Sequence, residues 1–158
     1  QLMMHFLNMS ADMMRLKSIY KADLAVGPAI PLWLGGMELE WRGKRKPVSE
    51  HVIDLYDYVA LMDYRDKAEG SDGIISHAES EIAYANKTGK KVVIGLETTE
   101  NDLNKVTFFE EGPLVMEREM GKVTAAYAKE PSFDGYALHH YGEWRKWVQR
   151  SWPELKKP

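Results

Sequence analysis

The chain has 158 residues, 44% of them hydrophobic, enough for one core and too few for two comfortable domains, so residues 1–158 read as a single domain. Its 21 Lys plus Arg against 24 Asp plus Glu leave a formal charge of −3 with no basic block, which argues against electrostatic binding to nucleic acid or an anionic membrane. The absence of cysteine excludes disulfides, thiolate metal sites and cysteine nucleophiles but leaves the compartment open, and no apolar run reaches the roughly 18–20 residues of a membrane-spanning helix.

The predicted elements alternate. Leu2, Phe6, Met9, Met13 and Leu16 recur at helical spacing over residues 2–20, so this methionine-rich stripe is expected to fill part of the core. The apolar run at 24–34 contains Pro28 and Pro31, which disfavour a long helix, and it is expected to be a buried strand that ends at Gly35-Gly36. The basic run Arg42 to Lys46 reads as a solvated loop. Pro47 and Ser49 introduce a short helix through Val52, Leu55 and Tyr56. Tyr58 to Met62 is a second strand. Asp72-Gly73 opens a helix with Ile74, Ala78 and Ile82 on one face, and Gly89 closes it. Lys91 to Leu96 is a third strand, Gly112-Pro113 starts a helix through Met116, Met120, Val123 and Tyr127, and Phe133 to Leu138 is a fourth strand. The chain ends in a helical tail whose Trp144, Trp147 and Trp152 are expected to pack rather than to touch a ligand.

Near-continuous apolar strands alternating with helices indicate a parallel sheet covered by helices. Four such units make half of a (β/α)8 barrel; an open, doubly wound sheet of flavodoxin type is the alternative. No glycine-rich phosphate loop follows the first strand, so no nucleotide cofactor is expected. Within each strand a bulky set (Leu24, Val26, Ile30, Leu32; Val59, Leu61; Val92, Ile94, Leu96; Tyr136, Leu138) alternates with a small set (Ala25, Gly27, Ala29, Pro31; Ala60, Met62; Val93, Gly95; Gly135, Ala137). The bulky set suits a helix-facing side and the small set a crowded barrel centre. Continued along the small set, the four strands run out into Trp33, Tyr64, Glu97 and His139, which in a barrel converge at the C-terminal mouth where barrel enzymes place their sites.

At this point the residues resemble a family. Met62-Asp63-Tyr64-Arg65 is similar to the Met-x-Tyr-Asp of the sixth strand of chitinase-like family 18 glycoside hydrolases, and Lys91-Val-Val-Ile-Gly95 to their seventh strand. Ile30 to Trp33, Ala60 to Arg65, Gly95 to Thr98, Val106 to Gly112 and Ala137 to Tyr141 together resemble uncharacterised bacterial proteins with a glycosidase-like barrel. The resemblance covers only the C-terminal half of such a barrel. It implies carbohydrate processing, and it implies a substrate contact for Tyr64. Two departures stand out: Arg65 replaces the motif's Asp, and His139 replaces the sugar-stacking Trp of the last strand. The fourth-strand Asp-x-Asp-x-Glu signature that supplies the general acid has no counterpart; by position it would precede Gln1, so the chain is expected to be the second half of a longer barrel. Alternatives from other classes are a non-catalytic sugar-binding or scaffolding module and a flavodoxin-like small-molecule-binding domain.

Glycoside hydrolysis generally uses two carboxylates about 5–10 Å apart. Glu97 is the carboxylate that phase places inside the mouth, where burial would raise its pKa for acid or base work; the blander expectation is an ion pair with Arg65. Asp63, on the helix-facing phase, is its candidate partner, with Glu110 and Glu111 as alternatives. His139, His140 and Tyr141 complete the candidate substrate contacts with Trp33, Tyr64 and Arg65. His139 is read as a donor to a sugar hydroxyl or to Glu97, and Trp33 and Tyr141 as stacking surfaces or capping core aromatics. Adjacent strand histidines face opposite sides and do not chelate, and His51 and His77 lie on helices, so no metal is expected. The expected partners are a glycan or other small molecule, together with either the missing N-terminal half-barrel or a second copy of the chain.

Overall fold

The computed structural model describes residues 1–152. Its elements are α1 (Leu2–Ile19), β1 (Ala29–Pro31), a 3-10 turn (Leu32–Gly36), β2 (Glu38–Trp41), β3 (Lys44–Pro47), α2 (Val48–Leu55), β4 (Tyr58–Met62), α3 (Ile74–Thr88), β5 (Lys91–Glu97), a second 3-10 turn (Asn104–Val106), α4 (Pro113–Ala126), β6 (Phe133–His139) and α5 (Tyr141–Ser151). The strands β1, β4, β5 and β6 form one parallel sheet in that order. Spatial order therefore follows chain order. A flavodoxin-type sheet reverses direction after its first strand, and this sheet does not.

Right-handed crossovers between strands taken in sequence put the connecting helices on one face. Ile30, Val59, Leu61, Val92, Ile94 and Leu96 are buried there against Val52, Ile53, Ala78, Ile82, Ala85, Met116 and Val123. The other face carries the small set, with Pro31, Ala60, Met62 and Val93 only half-buried. In β4 and β5 the alternation found is the one expected from the sequence; around β1 it fails, since Leu24 of the bulky set is exposed and Val26 and Leu32 are only half-buried.

Three local expectations are corrected. The strand expected over 24–34 shrinks to Ala29–Pro31, and Leu24 is exposed. Pro28 and Pro31 cannot donate to a ladder, so the chain before β1 is tied down otherwise: Val26 N–H donates to the Asp57 carboxylate at 2.7 Å, and Gly27 passes so close to Tyr58 that a side chain there would strike its carbonyl. The basic run forms a hairpin instead of a loop. β2 and β3 pair antiparallel around Arg42 and Gly43, both with positive φ (51° and 74°), the geometry that two-residue hairpin turns favour. Finally, α1 buries Leu7, Ser10 and Ala11, whereas Leu2, Met9, Met13 and Leu16 of the expected core stripe are exposed.

Elsewhere the caps stand where expected. Gly89 closes α3 in the left-handed conformation (φ 67°), and Pro113 occupies the first turn of α4 after Gly112. Trp147 is buried and its indole N–H donates to the Phe109 carbonyl at 3.0 Å, so α5 packs as expected. No helix among the described residues is long and apolar enough to cross a membrane.

Candidate functional site

The C-terminal ends of β4, β5 and β6 bring together Tyr64, Glu97 and His139. Register places Glu97 directly beside His139. Phe133 and His139 are six residues apart and would share a face in a regular strand, yet the Phe133 ring packs against Tyr127 on the helix side while His139 meets Glu97. A bulge reconciles them. The register slips between Val92 and Ile94, and Gly135 takes up the extra residue at φ 98°, a conformation that favours glycine. His139 is thereby turned to the open face.

Glu97 is 9% exposed and both carboxyl oxygens are engaged. Oε1 accepts the backbone N–H groups of Thr98 and Thr99, each at 2.8 Å, and Oε2 accepts from His139 Nδ1 at 2.7 Å. Burial by itself would raise this carboxyl, but the hydrogen bonds from Thr99, His139 and Thr98 outweigh burial and hold it below its ordinary value. The expected raised pKa is therefore corrected: Glu97 is a stabilised carboxylate. The expected Arg65 ion pair is corrected as well, since Arg65 Nε binds Asp72 at 2.9 Å.

The Tyr64 ring lies 5.9 Å from that of His139, and a side chain on Gly95 would touch it, so Gly95 makes the floor under the tyrosine. Burial and the Glu97 charge push the Tyr64 phenol up, which keeps it protonated and able to donate. The His139 and His140 rings meet edge to face with centroids 5.3 Å apart; strand alternation ends with β6 at His139, so the opposite-sides expectation fails there. Tyr141 stands exposed at the start of α5, 6.1 Å from the Trp144 ring.

Asp63, Arg65 and Trp33 do not join this cluster. Asp63 is fully buried on the helix side, its Oδ1 accepting from His77 Nδ1 of α3 at 3.0 Å and its Oδ2 without a partner. Burial drives its carboxyl up to about 6, against the opposing pull of His77. It is separated from Glu97 by the sheet, since Asp63 meets His77 of α3 while Glu97 meets His139 on the open face. Trp33 belongs to the 3-10 turn instead of a strand and lines, with Arg65 and His77, a cleft of about 440 Å³. Glu110 and Glu111 lie in the turn before α4, and burial raises the Glu111 carboxyl.

Sequence reasoning missed Thr98, Thr99, Asp72 and Glu81 as parts of these constellations, and it left His77 as an unremarkable helical residue. His77 and Glu81 fall at i and i+4 on the flank of the α3 core stripe, a detectable signal. The backbone N–H groups of Thr98 and Thr99 carry none. Among the described residues no group of three His, Asp or Glu side chains is arranged to hold a metal ion.

The fold and the site define a four-stranded parallel α/β unit with polar groups gathered at its strand C-termini. Comparison with family models, curated proteins and solved structures finds no match to this chain.

Proposed function

We propose that the chain is the strand-five-to-eight half of a (β/α)8 barrel and supplies sugar-contacting residues to a glycoside-hydrolase-like mouth. The observation that carries this reading is the Tyr64–Glu97–His139 cluster on the open, small-residue face of a parallel sheet whose strands follow chain order. Barrels place their sites at this end of the strands, and small inward residues suit a closed barrel's crowded centre.

In this reading the chain binds and orients, and it does not supply the acid. Glu97 is held ionised with both oxygens occupied, and Asp63 faces the helices, so the pair of carboxylates that glycoside hydrolysis uses is not assembled from these residues. Glu97 fixes the His139 ring through Nδ1, which leaves Nε2 of a half-exposed ring for a ligand hydroxyl. Tyr64 contributes a phenolic donor beside it, and Tyr141 an exposed ring for stacking at the rim. The acid/base group is assigned to the preceding half, which the resemblance provides with an Asp-x-Asp-x-Glu strand.

Titration of 15N-labelled protein with cello-, xylo-, malto- and chito-oligosaccharides tests this. At least one series is expected to produce saturable shifts at Gly95 and His139, and Tyr64→Phe or His139→Ala is expected to weaken that binding about tenfold, the worth of one well-placed hydrogen bond. Silence at these residues across the whole panel overturns the reading.

A further inference from the structure

Glu81 of α3 is a carboxylate with no charge to balance it. It is 4% exposed. Its Oε2 accepts the Ser80 hydroxyl at 2.6 Å, whereas Oε1 accepts no hydrogen bond and no cationic side chain pairs with either oxygen among the described residues. A buried unpaired carboxylate is costly, so its retention asks for a compensating charge. Oε1 sits against Gly35, where an added Cβ would lie 2.5 Å away; the absent side chain keeps this oxygen open.

Glu81, Ser80 and Gly35 line the same cleft as Trp33, Arg65 and His77, and its volume of about 440 Å³ falls within the range of small-molecule pockets, about 300–1,000 Å³. The cations around it are already committed. Arg65 Nε and Lys105 Nζ both bind Asp72 at 2.9 Å, Arg65 also donates to the Tyr64 carbonyl at 2.7 Å, and His77 lies between Asp63 at 3.0 Å and Asp72 at 3.4 Å. What remains is one negative charge and one aromatic wall, Trp33, which is 57% exposed. Tryptophan is the side chain that attracts organic cations most strongly, and a carboxylate beside it adds the ion pair.

We propose that this cleft binds a small organic ammonium cation, its head against the Glu81 carboxylate and its apolar body under the Trp33 indole. The site lies on the helix side of the sheet and does not depend on the carbohydrate reading of the other face. A cation there also relieves Asp63, whose carboxyl the Glu81 charge helps to raise.

Tetramethylammonium and n-butylammonium chloride are the probes, titrated at constant ionic strength into the 15N-labelled full chain, with n-butanol, sodium acetate and sodium chloride as controls. Saturable shifts of the Gly35 amide and the Trp33 indole N–H are expected with one or both ammonium salts and with none of the controls. Glu81→Gln is expected to weaken the binding at least tenfold, and Trp33→Leu, a surface change that leaves the core alone, several-fold. No saturable shift with either ammonium ion, equal shifts with sodium chloride, or unchanged affinity in Glu81→Gln overturns the proposal. If Glu81→Gln does not fold, Trp33→Leu decides alone, and unchanged affinity there overturns it.

Discussion

Glu97 and Asp63 differ in what their carboxyl oxygens meet. Glu97 receives two backbone N–H groups and a histidine, while Asp63 receives one histidine and leaves Oδ2 bare in the core. Their linkage to pH therefore has opposite sign. The Glu97 carboxyl is lower in the folded than in the unfolded chain, so its contribution is fully present above the unfolded value near 4.5 and is lost as pH falls through the folded value. Glu97→Gln is expected to cost about 1–3 kcal/mol at pH 7, the scale of hydrogen bonds to a charged group, and progressively less as pH falls through the folded value. Asp63 is raised from 3.8 to about 6, so the folded chain holds its proton longer and stability drains away as pH rises between those values. Asp63→Asn removes that loss. Urea denaturation is expected to show the variant gaining on the parent by about 2 kcal/mol between pH 4 and pH 7; a constant difference would mean that Asp63 titrates at its ordinary value.

At the scale of elements, what could be read from the sequence depended on how one-sided each segment was. α3 lies between Gly73 and Gly89, α4 starts at Gly112-Pro113, β5 and β6 follow Gly89 and Pro131 closely, and these elements and β4 carry their apolar residues with one period, so their buried faces and most of their limits were legible. α1 has apolar residues on two sides. Its longer stripe was the obvious choice, but Ser10 and Ala11 are small enough to let the helix approach α2, and the Tyr56 hydroxyl donates to Ser10 at 2.8 Å, so the other side is buried. In the hairpin, Leu39 and Trp41 alternate with Glu38 and Glu40, a strand signal masked by the charges that follow. The same limit governed the site. Phase located Tyr64, Glu97 and His139, and it placed Asp63 facing the helices, but the tertiary partner of each carboxylate was invisible. The bulge at Gly135 is the element on which the site depends most. Gly135→Ala meets no steric obstacle and so isolates the cost of φ 98°, expected at about 1–3 kcal/mol. If the bulge sets the phase of His139, the variant also loses the His139–Glu97 hydrogen bond, and the His139 Nδ1 resonance measured by 15N NMR at fixed pH moves with it. An unaltered resonance would show that His139 is placed by α5 instead.

For the whole molecule, two apolar regions stand out, besides single exposed residues such as Leu103 and Leu114. One is the open sheet face with Pro31, Ala60, Met62 and Val93; the other is the outer side of α1, where Leu2 is 76% and Met9 71% exposed and Met13, Leu16, Ile19 and Tyr20 continue the stripe. Surfaces of this kind mark contacts, and parallel sheets are ordinarily covered on both faces. The edges differ in what they can accept. β1 is short and ends in proline, which blunts it, whereas β6 presents seven residues whose outer side has no strand beside it. Closing a barrel takes about eight strands with a matching shear, so the half-barrel proposed above requires another set of strands over its inner face. In that proposal the covering set is either the complementary half or a second copy related by a two-fold axis. Sedimentation equilibrium of the chain alone at micromolar concentration is therefore expected to show self-association, and Met62→Lys on the open face is expected to reduce it more than Met9→Lys on α1, since only the sheet face is buried by closure. A stable 18.1 kDa monomer across that range would remove the half-barrel reading and leave an open sheet that tolerates an exposed face. Association abolished by Met9→Lys and untouched by Met62→Lys would instead place the contact on the first helix.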